Sequence, residues 1–455
     1  MRDASCGMRD AGCGIGQTPR GCREVPGRWI NRVGRRVLPG SRTLVCLFHV
    51  AFLVWSARAA IGQPDPRPAR AVPIDGEVFS ACVERIDADW TVHLRTADAS
   101  QTVPVRDLVR WGDYADSFRY MQILLTDGSL LVAEIARLAD DKLIADGEIC
   151  GRVEIPLAKV RGVVLDPPPS VSQRDELWER ITASQGVEDR LVLRNGDVLR
   201  GVLKKLEPSE STAATAALAV TFAVEGRDLT IPASKAQAIV FNPALVDTVV
   251  KPGFYARMGF RDGSLLHVVQ LSSAGPLTQL KLASTVSLAF ETEFLQTELT
   301  LLQPSSDRVV YLSDLEPISY KHIAYLETAW PLGRDRSATG GRLRHGGHLY
   351  AKGLGMHSAS RVAYRLDGRH RRLQAELALD DSAGLGGNVI FRVFLADAAD
   401  QWKRAYESPV VRGGDPALPI SVDVSQAQAL ALIVDFADRG DVLDRAAWLD
   451  ARLTK

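Results

Sequence analysis

Four Asx-Gly dipeptides, Asp75-Gly76, Asp127-Gly128, Asn195-Gly196 and Asp262-Gly263, each interrupt a stretch in which apolar and polar side chains alternate, as in ILLTDGSLLVAEI and LVLRNGDVLRGVL. Alternation with a period of two is the pattern of a half-buried strand, and Asx-Gly supplies the positive φ angles of a tight two-residue hairpin. A chain built this way is committed to antiparallel β-structure over most of its length. Each turn is followed by a second signature: TVPVRDLVRW, EIPLAKVRGV, TIPASKAQAI and, in a weaker form, VYLSDLEPI. From the turn to the signature proline is 29 residues for Asp75 to Pro104 and for Asp127 to Pro156, and 37 for Asn195 to Pro232. In the fourth copy Tyr311 takes the proline slot after a longer insertion. The period and the shared grammar predict divergent small β-modules, not a solenoid.

Modules of this size with glycine-containing strands suggest small SH3-like or Sm-like barrels. The expected boundaries are 72–112, 113–168, 174–247 and 248–320. Between the second and third, DPPPSVSQ reads as a linker, and RDELWERITAS (174–184) places Leu177, Trp178 and Ile181 on one face of a short helix, expected to plug the open side of a barrel.

From residue 321 to 455 the texture changes. Strands are expected at 360–367, 371–380, 389–397, 403–408, 418–425, 429–437 and 446–454, with inward sets such as Val362, Tyr364 and Leu366, or Leu430, Leu432, Val434 and Phe436. One apolar face per strand calls for two antiparallel sheets around one core, and about 135 residues suits a jelly-roll β-sandwich.

At the other end, residues 1–59 read as a leader. Arg28, Arg32, Arg35, Arg36 and Arg42 precede the apolar run Leu44–Trp55, and Ala57-Arg58-Ala59 is a cleavage pattern. The run is too short to span a bilayer. A secretory signal peptide is expected, and with it a secreted, periplasmic or cell-surface location with no membrane span in the mature chain. Lys+Arg and Asp+Glu both number 55, but residues 1–59 hold ten arginines against three acids, so the remainder carries seven more acidic than basic side chains. That balance argues against nucleic acid as a partner. Of six cysteines, four lie in the leader, leaving Cys82 and Cys150, which could pair in an oxidising compartment or stay buried and unpaired.

The sequence contains no G-x-S-x-G elbow, Walker loop, Rossmann fingerprint, HExxH or CxxC. These absences, and the lack of room for a separate catalytic domain, point to a protein that binds without turnover. The C-terminal segment resembles the NPCBM domain, a carbohydrate-binding module related to carbohydrate-binding module family 51. The carrying motifs are YAKGLGMHSASRVAYRL, LALDDSAG (377–384), VIFRVFLAD (389–397), ESPVVRGGDPALPISVDVS (407–425) and DRGDVLDRAAWLDARL (438–453). The resemblance implies a non-catalytic sandwich that binds galactose-type sugars, with a structural Ca2+ in many relatives.

Sugar recognition needs carboxylates, amides, arginine forks or imidazoles for ring hydroxyls, and an aromatic face for the apolar C–H patch. The residues placed to supply these are His357, Arg361, Asp380, Asp381 and Asp415, with Trp448 as platform. Asp441 and Asp444 are the candidate metal ligands. Each has a plainer alternative: Gly353 and Gly355 as a tight entrance to a strand, His357 as a buried turn residue, Trp448 as core, the Asp/Gly loops as solvated turns. His345 and His348 in RHGGH make a poor metal site by themselves. The upstream modules are expected to serve as spacers or as surfaces for protein partners. The rival reading is a scaffolding protein of the cell envelope whose sandwich has lost its sugar site.

Overall fold

The computed structural model describes residues 68–455, apart from 118, 210–217, 251–252, 324–328 and 439. Residues 1–59, expected to be a leader, lie outside the described residues. Among the described residues no helix is long and apolar enough to cross a membrane.

Among the described residues, twenty-one strands precede the sandwich. The first module contains β1 (Ala69–Pro73), β2 (Phe79–Ile86), β3 (Thr91–Arg95), β4 (Ser100–Pro104) and β5 (Leu108–Gly112). The second contains β6 (Gln122–Leu125), β7 (Leu130–Val132), β8 (Glu134–Ala139), β9 (Lys142–Gly147), β10 (Gly151–Pro156) and β11 (Val160–Val164). Helix α1 (Val171–Thr182) leads into the third: β12 (Asp189–Leu193), β13 (Val198–Pro208), β14 (Leu218–Val224), β15 (Arg227–Pro232) and β16 (Ala236–Val240). The fourth has β17 (Ala256–Phe260), β18 (Leu265–Ala274), β19 (Leu277–Leu282), β20 (Ser287–Glu291), α2 (Thr292–Glu298) and β21 (Leu299–Pro304).

The proline signatures have a local cause. Pro104, Pro156 and Pro232 end their strands with φ near −58° and ψ of 129–138°, and each opens a single 3-10 turn that returns the chain as the module's last strand. Proline fixes that φ and withholds the N–H that would extend the ladder. The long second strand bends at a bulge, between Val83 and Arg85 in the first module and between Leu203 and Lys205 in the third, so that its first half pairs with strand one and its second half with strand three. Bulges turn a sheet's corner in this way. Strand one also pairs with the module's last strand. Among the described residues no pairing joins the strand that ends at the signature proline to the module's last strand, so the modules are open rolls and not closed barrels.

The fourth signature is corrected here. VYLSDLEPI repeats the strand and 3-10 grammar but belongs to the sandwich, whereas the fourth module makes its return through α2, from ETEFLQTE. The sandwich therefore begins at Val309 and not at residue 321.

Modules meet through their last strands. β5 pairs with β21, and β11 with β16, both antiparallel. Glycine permits the approach: a Cβ on Gly112 (φ +74°) would stand 2.0 Å from the Thr300 carbonyl oxygen, and one on Gly162 2.7 Å from that of Ile239. Helix α1 lays Leu177 and Ile181 over the β11–β16 joint, against Leu124, Val164, Val192 and Val240. It covers a junction between two modules instead of plugging one of them. A third joint pairs Leu130 of β7 with Leu265 of β18. Here Ser129 Oγ accepts the His267 N–H and Ser264 Oγ accepts the Val132 N–H, both at 2.9 Å. No disulfide joins Cys82 to Cys150; both are buried, and burial pushes the Cys150 thiol up to about 12.

The sandwich runs β22 (Val309–Tyr311), β23 (Ser319–His322), β24 (Gly333–Arg334), β25 (Arg344–His345), β26 (His348–Leu349), β27 (Gly353–His357), β28 (Ser360–Arg365), β29 (Arg372–Leu379), β30 (Asn388–Ala396), β31 (Trp402–Glu407), β32 (Val411–Arg412), β33 (Leu418–Asp423), β34 (Ala429–Phe436) and β35 (Arg445–Thr454). One sheet is ordered β24-β27-β35-β29-β33, with β22 on β35; the other is β23-β28-β34-β30-β31, with β32 on β30. The chain alternates between them from β27 to β30, and Val362, Tyr364, Leu373, Leu377, Phe391, Leu432 and Trp448 fill the space between.

The outer face of the first sheet is covered. Leu343 and Tyr350 pack on Ala378, Ala447 and Leu449. Beside them Arg110 of β5 reaches Glu376 (3.2 Å) and Asp450 (3.2 Å), and Arg70 reaches Glu376 (2.5 Å). Burial alone would lower the Arg110 pKa, but Asp450, Glu376 and Asp113 outweigh it and raise it. A second network ties α1 to the sandwich, with Arg342 and Arg344 shared between Asp116 and Asp175.

Candidate functional site

Six of the eight expected site residues serve the loops or the core. His357 is buried, stacks on Trp330 (centroids 4.8 Å, planes 9° apart), meets His322 edge-on at 5.8 Å, and donates from Nδ1 to the Ser358 carbonyl at 2.9 Å. Asp380 accepts from the Arg344 and Ser382 N–H groups, each at 3.0 Å, and from Ser382 Oγ. Burial raises its pKa against those bonds. Asp381 is exposed but accepts from the N–H groups of Gly346 and Gly347 at 2.8 and 2.9 Å, pinning the RHGGH turn. Asp415 accepts the Arg412 N–H at 2.8 Å. Trp448 is 0% exposed and sits edge-on to Phe391 at 5.0 Å, which overturns the platform expectation. The indole fell on the inward phase of β35.

Asp444, also buried, accepts from Ser358 Oγ (2.7 Å) and the Asn388 N–H (2.9 Å), and burial raises its pKa. Both oxygens of Asp444 thus meet protein donors, and no group of three or more His, Cys, Asp or Glu among the described residues is placed to hold a metal. Gly353 opens β27 with a positive φ of +147°, as the plainer reading expects, and Gly355 lies inside the strand. A Cβ on Gly355 would stand 2.3 Å from the Arg336 carbonyl oxygen and 2.5 Å from Ala338 N, so the glycine lets the 336–338 strap lie directly on the strand.

Arg361 is different. It projects from β28 onto the outer face of the second sheet, where the strand register sets out three rows. Lys321, Arg361, Ile433, Arg392 and Glu407 form the first; Ser319, Ala363, Ala431, Phe394 and Arg404 the second; Arg365, Ala429, Ala396 and Trp402 the third. Four alanines occupy the middle of the last two rows, with long side chains around them. The result is a groove of about 820 Å³ crossing the strands, closed at one end by Asp397, Ala398, Asp400 and Gln428.

The groove has the parts that saccharide recognition requires. Trp402 is 42% exposed at its edge, offering an apolar face, and Phe394 adds a half-buried one. Arg392 is already held by Glu407 and Asp435. Arg361 and Arg365 have no ion pair or hydrogen bond to another described residue, so two guanidinium forks face solvent over the alanine floor. Asp397 accepts from the Gln401 and Ala399 N–H groups, which keeps its carboxyl below the usual range and fixes the end loop. Among the residues lining the groove there is no histidine or cysteine. The sequence reading missed Trp402 because it began the strand one residue later, at 403.

Residues 308–454 match the NPCBM/NEW2 domain model. The C-terminal third is an NPCBM domain. A Renibacterium salmoninarum protein that carries the provisional name endo-alpha-N-acetylgalactosaminidase is 31% identical over 120 residues, which is 26% of this chain and 8% of that protein's length. Among solved structures, a CBM51 from Clostridium perfringens GH95 in complex with methyl-galactose is 23% identical, covering 32% of this chain and 99% of its own, with a TM-score of 0.28. The tandem CBM51 modules of a family 98 glycoside hydrolase from Streptococcus pneumoniae are 14% identical, covering 85% and 99%, with a TM-score of 0.28. Scores this low carry no argument about site geometry, so the NPCBM groove stands on its own residues.

Proposed function

We propose that the NPCBM domain binds a saccharide in the groove on its second sheet and releases it unchanged. The observation that carries this reading is the pairing of an exposed indole, Trp402, with two unpartnered arginine forks, Arg361 and Arg365, across a floor of alanines. A pyranose presents an apolar C–H face to an indole and hydroxyls to planar donors, and this face supplies both, at opposite ends of a row of four strands. The family match supports a carbohydrate ligand, of galactose type by the family resemblance, and an exported protein would meet such glycans outside the cell. The modules set the domain's orientation, since its other face is built into them.

Glycan-array binding by the full chain tests the proposal. Saturable binding that Trp402→Ala and Arg361→Ala both weaken at least tenfold, with the melting temperature unchanged, is the expected result. Binding that survives both substitutions moves the site elsewhere, and no binding to any glycan favours a scaffold whose sandwich has kept its core alone.

A further inference from the structure

Where four parts of the protein converge there is a second cavity, of about 320 Å³. Module two contributes Leu130, helix α1 contributes Trp178, module four contributes Arg257, Leu265, His267 and Leu301, and the sandwich closes it with Leu349 and Tyr350. Junctions between domains are where small-ligand pockets concentrate, and this volume is at the lower end of their range, about 300–1,000 Å³.

Its walls combine leucines and aromatic rings with charged side chains, and every charged side chain except Arg257 is in an ion pair. Arg342 is held by Asp116 and Asp175, Arg336 by Glu179, and Arg334 by Glu316. Arg257 reaches only neutral groups: Tyr255 Oη at 3.1 Å and Gln303 Oε1 at 3.5 Å. Buried Asp450 is near enough to feel the charge of Arg257 but makes no ion pair with it, and a half-buried guanidinium with no carboxylate in contact bears a desolvation cost that a bound anion would offset through a bidentate contact. Directly across the strand pair from Arg257 stands His267. Its Nδ1–H donates to the Asp127 carbonyl at 2.7 Å, which fixes the tautomer and leaves Nε2 as an acceptor. Burial, followed by the charge of Arg257, lowers its pKa to about 4, so the ring stays neutral at physiological pH.

We infer that this junctional cavity binds a small hydroxycarboxylate with an apolar body, its carboxylate on Arg257, its hydroxyl donating to His267 Nε2, and its body among Leu265, Leu301 and Leu349. The site is separate from the saccharide groove and does not depend on it.

Three probes of one shape test it by calorimetry on the full chain: mandelate, phenylacetate, which lacks the hydroxyl, and mandelamide, which lacks the charge. Mandelate should bind saturably, phenylacetate at least fivefold and mandelamide at least tenfold more weakly, and Arg257→Gln should erase the preference for mandelate over mandelamide while the melting temperature stays within a few degrees. Equal affinity for mandelate and mandelamide would show an apolar pocket with no anion site. Absence of saturable binding by any probe, or wild-type selectivity in Arg257→Gln, would likewise overturn the assignment.

Discussion

Ser129 and Ser264 exchange hydrogen bonds between two modules: the hydroxyl of each, fully buried, accepts a strand N–H from the other's module, Ser129 from His267 and Ser264 from Val132, at the same distance of 2.9 Å. Both follow an Asp-Gly turn in the identical run DGSLL, so one local motif used twice makes a reciprocal clasp. Replacing either serine by alanine strands a buried N–H, at a cost of about 1–3 kcal/mol. Urea denaturation of Ser129→Ala and Ser264→Ala should show a lower midpoint for each, and the double variant should lose less than the sum, since the first loss already loosens the joint.

The acid beside that clasp titrates in a useful range. Burial raises the Asp262 carboxyl to about 6, against the bonds it accepts from the Ser264 N–H and Oγ. A carboxyl whose folded pKa lies above its unfolded value contributes stability that is present in full below pH 4 and is lost as pH rises through 6. Asp262→Asn removes that dependence. Its stability relative to the parent chain should rise by roughly 2 kcal/mol between pH 4 and pH 7, allowing for partial exposure. Chemical denaturation at the two pH values measures this, and a constant difference would contradict it.

Arg110 and Glu376, 266 positions apart, form a buried pair between the first module and the sandwich. Glu376→Gln leaves a buried cation short of a counter-charge and should cost about 3 kcal/mol, whereas exchanging both for apolar residues of similar volume, Arg110→Met with Glu376→Leu, should cost much less. Thermal unfolding of the two variants gives the comparison.

Two of the sandwich's three tryptophans, Trp402 and Trp448, should separate binding from folding. Trp448→Ala empties the core and should cost about 3–5 kcal/mol. Trp402→Ala should change stability by less than about 0.5 kcal/mol and abolish most glycan binding.

The sandwich was legible because its strands carry strict alternation: the expected 389–397 and 429–437 are observed as Asn388–Ala396 and Ala429–Phe436. The proline signatures were legible because proline acts locally. The surroundings of the candidate site residues were not. Asp380, Asp381, Asp415 and Asp444 were chosen by composition, and the loop donors that each of them meets are set only by the fold. Arg361 was placed on the right strand, but the groove depends on which alanines stand beside it across β34 and β30, and register between distant strands leaves no trace in a single segment. The ion networks were invisible for the same reason: Glu376 meets Arg110 only after folding.

The pairing of last strands also bears on how such a chain can lengthen. β5, β11, β16 and β21 each have a partner on both sides, so a fifth repeat would find no vacant edge of that kind to join. Duplication could add material to this architecture only in couples, each new copy bringing its own mate.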